Sequence, residues 1–229
     1  MAGINCLSMA SREKEELAGW GNYPVSASYK LTPRNEYDFK EALHKGGLIA
    51  RGLGRSYGDQ ALNKEGYVAE CTKFNRFLSF DEQQGILQCQ AGVSLEEIIS
   101  VFGPKGWLPM ICPGTKFVTI GGAIANDIHG KAHHIDGSFV NCVLSFTIML
   151  ADGSILTASR TENADLFWAN FGGLGLLGII LTATVQLRRI ETTYFRQKSV
   201  VIRNLDHMLE ALDKYDHEYN YSVAWIDAM

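Results

Sequence analysis

The sequence predicts an α+β fold, and three observations carry that reading. Stretches with strand-like alternation and β-branched side chains outnumber the helical ones. Strands and helices do not alternate regularly, as a doubly wound parallel sheet would require. The chain has 229 residues, 46% of them hydrophobic and 20% charged, enough apolar material for an ordinary buried core. There is no internal repeat and no low-complexity linker. A glycine-rich seam near 115–120 divides the reading into a tail over 1–20 and two α+β halves, 21–115 and 116–229.

Residues 1–20 read as a loose tail or short helix, with "SREKEELAGW" stopped by Gly19. "TPRNEYDFKEALHKGG" has helix start and stop signals: Thr32 as N-cap, Pro33 in the first turn, glycines at the end. "LIAR", "YVAEC" and "GILQCQAG" read as strands. "SLEEIISVFG" is a helix opened by a capping box, Ser94 with Glu97, and stopped at Gly103. "VLSFTIMLADG" and "SILTAS" form a hairpin through Asp152-Gly153. "NADLFWANFGG" is a short helix capped at Asn163, and "IILTATVQLRRI" is a strand. A strand near 194–202, a helix over 205–217 opened by Asn204, and a strand "YSVAWID" complete the chain. It ends inside what reads as a strand, as a piece of a longer protein would.

A net charge of −4 leaves no basic excess to neutralise phosphates, so a nucleic-acid binder is not expected. The five cysteines, at 6, 71, 89, 112 and 142, are odd in number and never C-x-x-C, which fits a reducing cytoplasm rather than a disulfide framework or zinc knuckle. The first residues lack the basic region of a signal peptide. No run approaches the ~18 apolar residues of a transmembrane segment.

Three glycine-rich segments bear on function. "GLGLLG" (173–178) satisfies G-x-G-x-x-G, but a helix leads in and a strand leads out, the reverse of a dinucleotide-binding crossover. "RGLGRSYGD" (51–59) follows a strand. Its glycines let successive N–H groups turn toward an anion, although a tight turn at a strand end reads the same way. "PGTKFVTIGGAIANDIHGKAHH" (113–134) combines Gly121-Gly122-Ala123, which allow close backbone approach, with hydrogen-bonding Thr115 and Thr119. It lacks the glycine that G-x-x-x-x-G-K needs five residues before Gly130. Its tail gathers His129, His133 and His134 between Asp127 and Asp136. His129 and His133 have zincin spacing, but Gly130 stands where the glutamate base belongs, so loop histidines bonded to backbone are favoured over a zinc hydrolase. Two glycine loops, each after a strand, suggest a long diphosphate ligand held from two sides.

On "RGLGRSYGD", "PGTKFVTIGGAIANDIHGKAHH", "ADGSILTAS", "DLFWANFGGLGLLGII" and "YSVAWIDA", the chain resembles the vanillyl-alcohol-oxidase (PCMH-type) FAD-binding oxidoreductases from about Trp20 onward. It is most similar to the branch that oxidises a polyprenyl-phosphate-linked ribose beside a reductase or epimerase partner. The resemblance implies a PCMH-type domain of two α+β subdomains. It places Arg51, Gly52, Leu53, Gly54, Arg55, Ser56, Tyr57 and Gly58 at the FAD diphosphate. Pro113, Gly114, Thr115, Thr119, Ile120, Gly121, Gly122 and Ala123 would follow the diphosphate and ribityl chain. Asn126, Asp127, Ile128, His129 and Gly130 would line the approach to the isoalloxazine, and Ile180 would present backbone to the adenine end. Relatives that tether FAD covalently carry G-H-S in the first loop. Arg55-Ser56 stands there in this chain, so the resemblance implies non-covalent FAD.

The implied reaction oxidises a sugar secondary alcohol to a ketone. His129 and Lys131 are the candidates for proton transfer or for substrate binding, and Lys131 equally reads as a surface lysine. Trp225 is a candidate pocket wall or a core aromatic. In the family a second domain roofs the site, so little turnover is expected of this stretch alone. Alditol or aldonolactone oxidases and a non-catalytic flavin-binding module are the alternatives.

Overall fold

The structure, a computed structural model, describes residues 13–227. Its smaller sheet is built from β1 (Glu15–Ala18), β2 (Val25–Leu31), β3 (Leu48–Arg51) and β4 (Tyr67–Glu70), in the order β1-β2-β4-β3. β1 runs antiparallel to β2, while β2, β4 and β3 are mutually parallel. Parallel strands require crossovers: α1 (Glu36–Leu43) carries the chain from β2 to β3, and the loop 52–66 carries it from β3 back to β4 between them. Asn35, not Thr32, caps α1 by accepting from the Asp38 amide at 3.0 Å, because Arg34 still lies outside the helix and gives its N–H to the Asp38 carboxylate.

The loose tail or short helix expected over 1–20 is corrected to strand at Glu15–Ala18. Its glutamates favour helix, but pairing with β2 and the ion pair Glu15–Lys30 (2.6 Å) override that local preference. The rest of that stretch, up to Arg12, lies outside the described residues.

The larger sheet is antiparallel and has the order β5-β6-β10-β8-β9. It comprises β5 (Phe77–Asp81), β6 (Ile86–Gln90), β8 (Val143–Met149), β9 (Ile155–Ser159) and β10 (Ile179–Arg189), with β7 (Trp107–Pro109) on the far end of β10. On it pack α2 (Leu95–Phe102), α3 (Ile120–Ala125), the single turn α4 (His133–Asp136) and α5 (Ala164–Asn170). α6 (Leu205–Tyr215) lies near the end of the chain. The capping box of α2 forms as the sequence predicts: Ser94 Oγ accepts from the Glu97 amide, and the Glu97 carboxylate accepts from the Ser94 amide at 2.7 Å. Asn204 caps α6 in the same manner. Asn163 precedes α5 but does not cap it. It sits at φ +46° and donates its side-chain amide to Thr157 O.

β10 decides how the two bodies join. Ile180, Ala183, Val185 and Leu187 enter the large core with Ile98, Ile124, Phe146 and Phe167. Ile179 and Leu181 face the other way, where they meet Met149, Phe39 of α1, Ala69 of β4 and Phe74 just beyond it. A register shift between Ile180 and Thr182 switches the parity of the inward positions, so one strand serves both cores. The sheets part between Glu70 and Phe77. The seam expected at 115–120 falls instead within the larger body, on the link from β7 to α3.

The strands expected at 194–202 and 221–227 do not form among the described residues. Both stretches are rich in strand-forming residues, but an extended segment becomes a strand only where a neighbour takes its N–H and C=O groups. Here no ladder reaches them, and Val201, Val223, Trp225 and Ile226 are exposed.

Candidate functional site

The parallel strands of the small sheet end at the first glycine loop, the side of a parallel sheet where ligands gather. Gly52 follows β3 directly, and a Cβ there would run into the Thr119 hydroxyl. The two glycine loops, 67 positions apart at Gly52 and Thr119, therefore touch, and only glycine permits it. Among the described residues nothing accepts a hydrogen bond from the main-chain amides of Leu53 to Tyr57, so this arc offers a row of N–H donors.

Arg51 does not reach outward. Its guanidinium donates to Ala18 O (2.6 Å) and Ala61 O (3.3 Å) and lies against Gly54, so it braces the loop from behind. Burial works against its charge and pulls its pKa down, while the Glu70 carboxylate opposes that effect. Arg55 stacks over Trp20 at 5.2 Å and donates to Leu53 O, and its buried Nε has no protein acceptor among the described residues. Gly19 and Trp20, which the sequence did not single out as site residues, shape the same loop. A Cβ on Gly19 would collide with Ser56 O, and the Trp20 amide bonds that carbonyl at 2.7 Å. Tyr57 is exposed, and the Gly58 amide is held by Gln60.

The second loop is used differently. The amides of Ile120 and Gly121 donate to Val93 O and Ala91 O, both at 2.8 Å, and the Gly122 amide bonds the Thr119 cap. These residues dock α3 onto the turn after β6 and present no free donors. Gly121 lets Ala91 approach, and Gly130 lets the Cys112 carbonyl approach, where any Cβ would collide with backbone. Ala123 is buried, Gly114 has open space on its Cβ side, and Gly122 meets only its own cap there. Pro113 is half-buried beside them, and Thr115 caps the Phe117 amide.

Beside the Gly52–Thr119 contact lies a cleft of about 240 Å³, lined by Leu53, Thr72, Asn75, Gly92, Ser94 and Phe117 among others. Its two carboxylates are both partnered. Glu97 is held by Ser94 and Asn75, and Glu96 pairs with Lys116 at 3.5 Å. Thr72, Asn75 and Gly92 escaped the sequence reading. Their one visible signal was the glycine, which sits where a Cβ would strike the Cys71 and Phe74 carbonyls.

Past α3 the chain turns sharply. Asp127 adopts φ +42° and accepts from the Val140 amide at 3.0 Å, so its carboxylate holds the loop. Asn126 is exposed and bonds Gly122 O, and Ile128 pairs with Phe139. His129 and Lys131 are exposed. His129 and His133 rings lie 5.9 Å apart, but only His133 is in α4, so the helical zincin pair does not form. Among the described residues no group of three His, Cys, Asp or Glu could hold a metal ion. His134 reaches Tyr219 O at 3.3 Å. Ile180 is buried in the β10–β8 ladder. "GLGLLG" forms the turn from α5 to β10, and its Leu174 amide bonds Ala125 O at the end of α3. Trp225 does not sit in a wall or a core here. It is 97% exposed on a segment without a ladder. Burial drives the thiols of Cys71, Cys89 and Cys142 up to about 12, which keeps them from acting as nucleophiles.

Among the described residues, a run of amides without protein acceptors, an orphaned arginine nitrogen and an adjoining cleft whose carboxylates are both hydrogen-bonded or ion-paired suit an extended anionic dinucleotide. The FAD binding domain family matches residues 28–159. This chain belongs to that family of PCMH-type FAD-binding domains. It is 43% identical over 225 residues to decaprenylphosphoryl-beta-D-ribose oxidase of Mycolicibacterium smegmatis, covering 94% of this chain and 48% of the relative. It is 30% identical to L-gulonolactone oxidase of Mus musculus, over 77% of this chain and 42% of that protein. Glucooligosaccharide oxidase of Sarocladium strictum is 28% identical, over 82% and 42%. The chain thus spans about half the length of the curated relatives it matches. No described helix is long and apolar enough to cross a membrane.

Proposed function

We propose that this chain is the cofactor-holding part of a flavin-dependent oxidoreductase that oxidises a secondary alcohol of a sugar, with a polyprenyl-phosphate-linked ribose as substrate. The observation that carries the proposal is the contact of Gly52 with Thr119, which sets a row of free amides beside a polar cleft. Leu53 to Tyr57 and Arg55 would hold the diphosphate, and the open faces of Gly114 and Gly122 would let the cofactor pass. When bound, the flavin supplies the electron sink, accepting hydride at N5.

The work of this chain's residues is to orient the alcohol and to take its proton. His129, exposed at the end of the bridge to Ser138, is the proposed base, and Lys131 would bind the substrate phosphate. Arg55-Ser56 offers no side chain for a covalent tether, which supports non-covalent FAD. Trp225 would join the pocket only where further chain packs on the exposed 221–227 segment. A cytoplasmic setting and a reductase or epimerase partner complete the proposal.

The test is anaerobic mixing of the flavin-loaded full-length protein with polyprenylphosphoryl ribose, gulonolactone and a glucooligosaccharide. Loss of the visible flavin band with the phospholipid-linked ribose is expected. Bleaching by the lactone alone would favour the aldonolactone reading. No bleaching by any sugar would leave a flavin-binding module without sugar chemistry.

A further inference from the structure

The sequence between His134 and Gly137 contains a carboxylate that the proposed chemistry does not use. Asp136 ends α4, and its side chain is 4% exposed. A buried carboxylate is costly unless it is paired. The partner is Arg188, near the end of β10, whose guanidinium donates to Asp136 Oδ1. The Tyr221 side chain lies close to the same guanidinium. Around this pair the segment Tyr219–Ser222 crosses the histidine loop. The Ser222 amide donates to Lys131 O at 3.0 Å, and Tyr219 O meets His134 Nε2 at 3.3 Å. Asn141 adds a bond to Asp136 O at 2.8 Å. Asp136 and Tyr221 also line one small pocket with Cys112, Gly130 and His133, so they share a wall with the Gly130–Cys112 contact.

Four sequence-distant pieces therefore meet at one place: β10, α4, the turn at Cys112 and the segment 219–222. The bridge from His129 to Ser138 and the packing of Gly130 on Cys112 also tie the 129–136 loop to the body. We infer that Asp136, Arg188 and Tyr221 are positioning residues: the clasp they form straps segment 219–222 across the loop and fixes the pose of His129 and Lys131. The inference rests on the proposed function only for what His129 and Lys131 then do.

Hydrogen exchange on the purified chain decides the clasp. Arg188→Met should speed exchange of the amides over 130–137 by about tenfold or more, the effect of losing hydrogen bonds to a charged group. The amides of 53–57 and of β4 should be unchanged. Tyr221→Ala removes an exposed ring that lies beside the pair and should do the same to a smaller degree without threatening the fold, and Arg188→Lys should restore most of the protection. Exchange that rises evenly over the chain, or stays at the wild-type level in 130–137, overturns the clasp. In the flavin-loaded chain, Arg188→Met should keep its flavin content and shift the flavin band and midpoint potential. A loosened loop with an unchanged band would overturn the positioning role. A chain that takes up no flavin would instead sink the proposed function, and the exchange result would still decide the clasp.

Discussion

The two glycine loops are both glycine-rich and are built in opposite ways. In the first, the amides of Leu53 to Tyr57 meet no acceptor among the described residues. In the second, Gly121 and Gly130 let backbone pack on backbone, and the amides of Ile120 to Gly122 are all taken by Val93, Ala91 and Thr119. In the proposed function the first loop holds the ligand, and the second is the abutment against which Gly52 packs through Thr119. Glycine content alone does not tell these apart. The distinguishing fact is whether the main-chain amides already have acceptors.

The largest effect should come from breaking the abutment. Gly130→Ala drives a methyl into the Cys112 carbonyl and should cost about 3 kcal/mol of stability, the upper end for overpacking, read as a lowered denaturant midpoint. Gly52→Ala strikes the end of a short side chain instead of backbone and should cost about 2 kcal/mol. Thr119→Ala in the same chain should recover part of that loss, although it removes the α3 cap. Failure to recover would mean that the loops do not meet through this pair. Gly122→Val meets only the cap hydroxyl, so thermal melting should change little while FAD affinity falls about tenfold or more. Unchanged affinity would remove Gly122 from the cofactor's path. The smallest effect is Ser94→Ala, which deletes half of the capping box beside the cleft and should cost about 1 kcal/mol.

Apart from the caps read at Thr32 and Asn163, local chemistry was legible in the sequence, and long-range approach was not. The Ser94–Glu97 box, the Asn204 cap and the hairpin at Gly153 need only neighbours a few positions away, and each formed as read. β1 was hidden because "EELA" favours helix until β2 pairs with it. The segments at 194–202 and 221–227 carry strand-forming residues yet lack a pairing neighbour. Within the site, both glycine loops stood out from composition. Neither the loss of the Gly121 amide to Ala91 nor the burial of Asp136 against Arg188 has a local signature, because each partner arrives from a distant element.

The account depends on the free amides of the first loop holding a flavin without a covalent bond. Acid precipitation of the purified protein, with flavin counted in the supernatant, tests this most directly. The account predicts a yellow protein that releases about one FAD per chain and leaves a colourless pellet. Colour retained in the pellet would contradict the non-covalent attachment, and a protein that stays colourless after soaking with FAD would contradict the site itself.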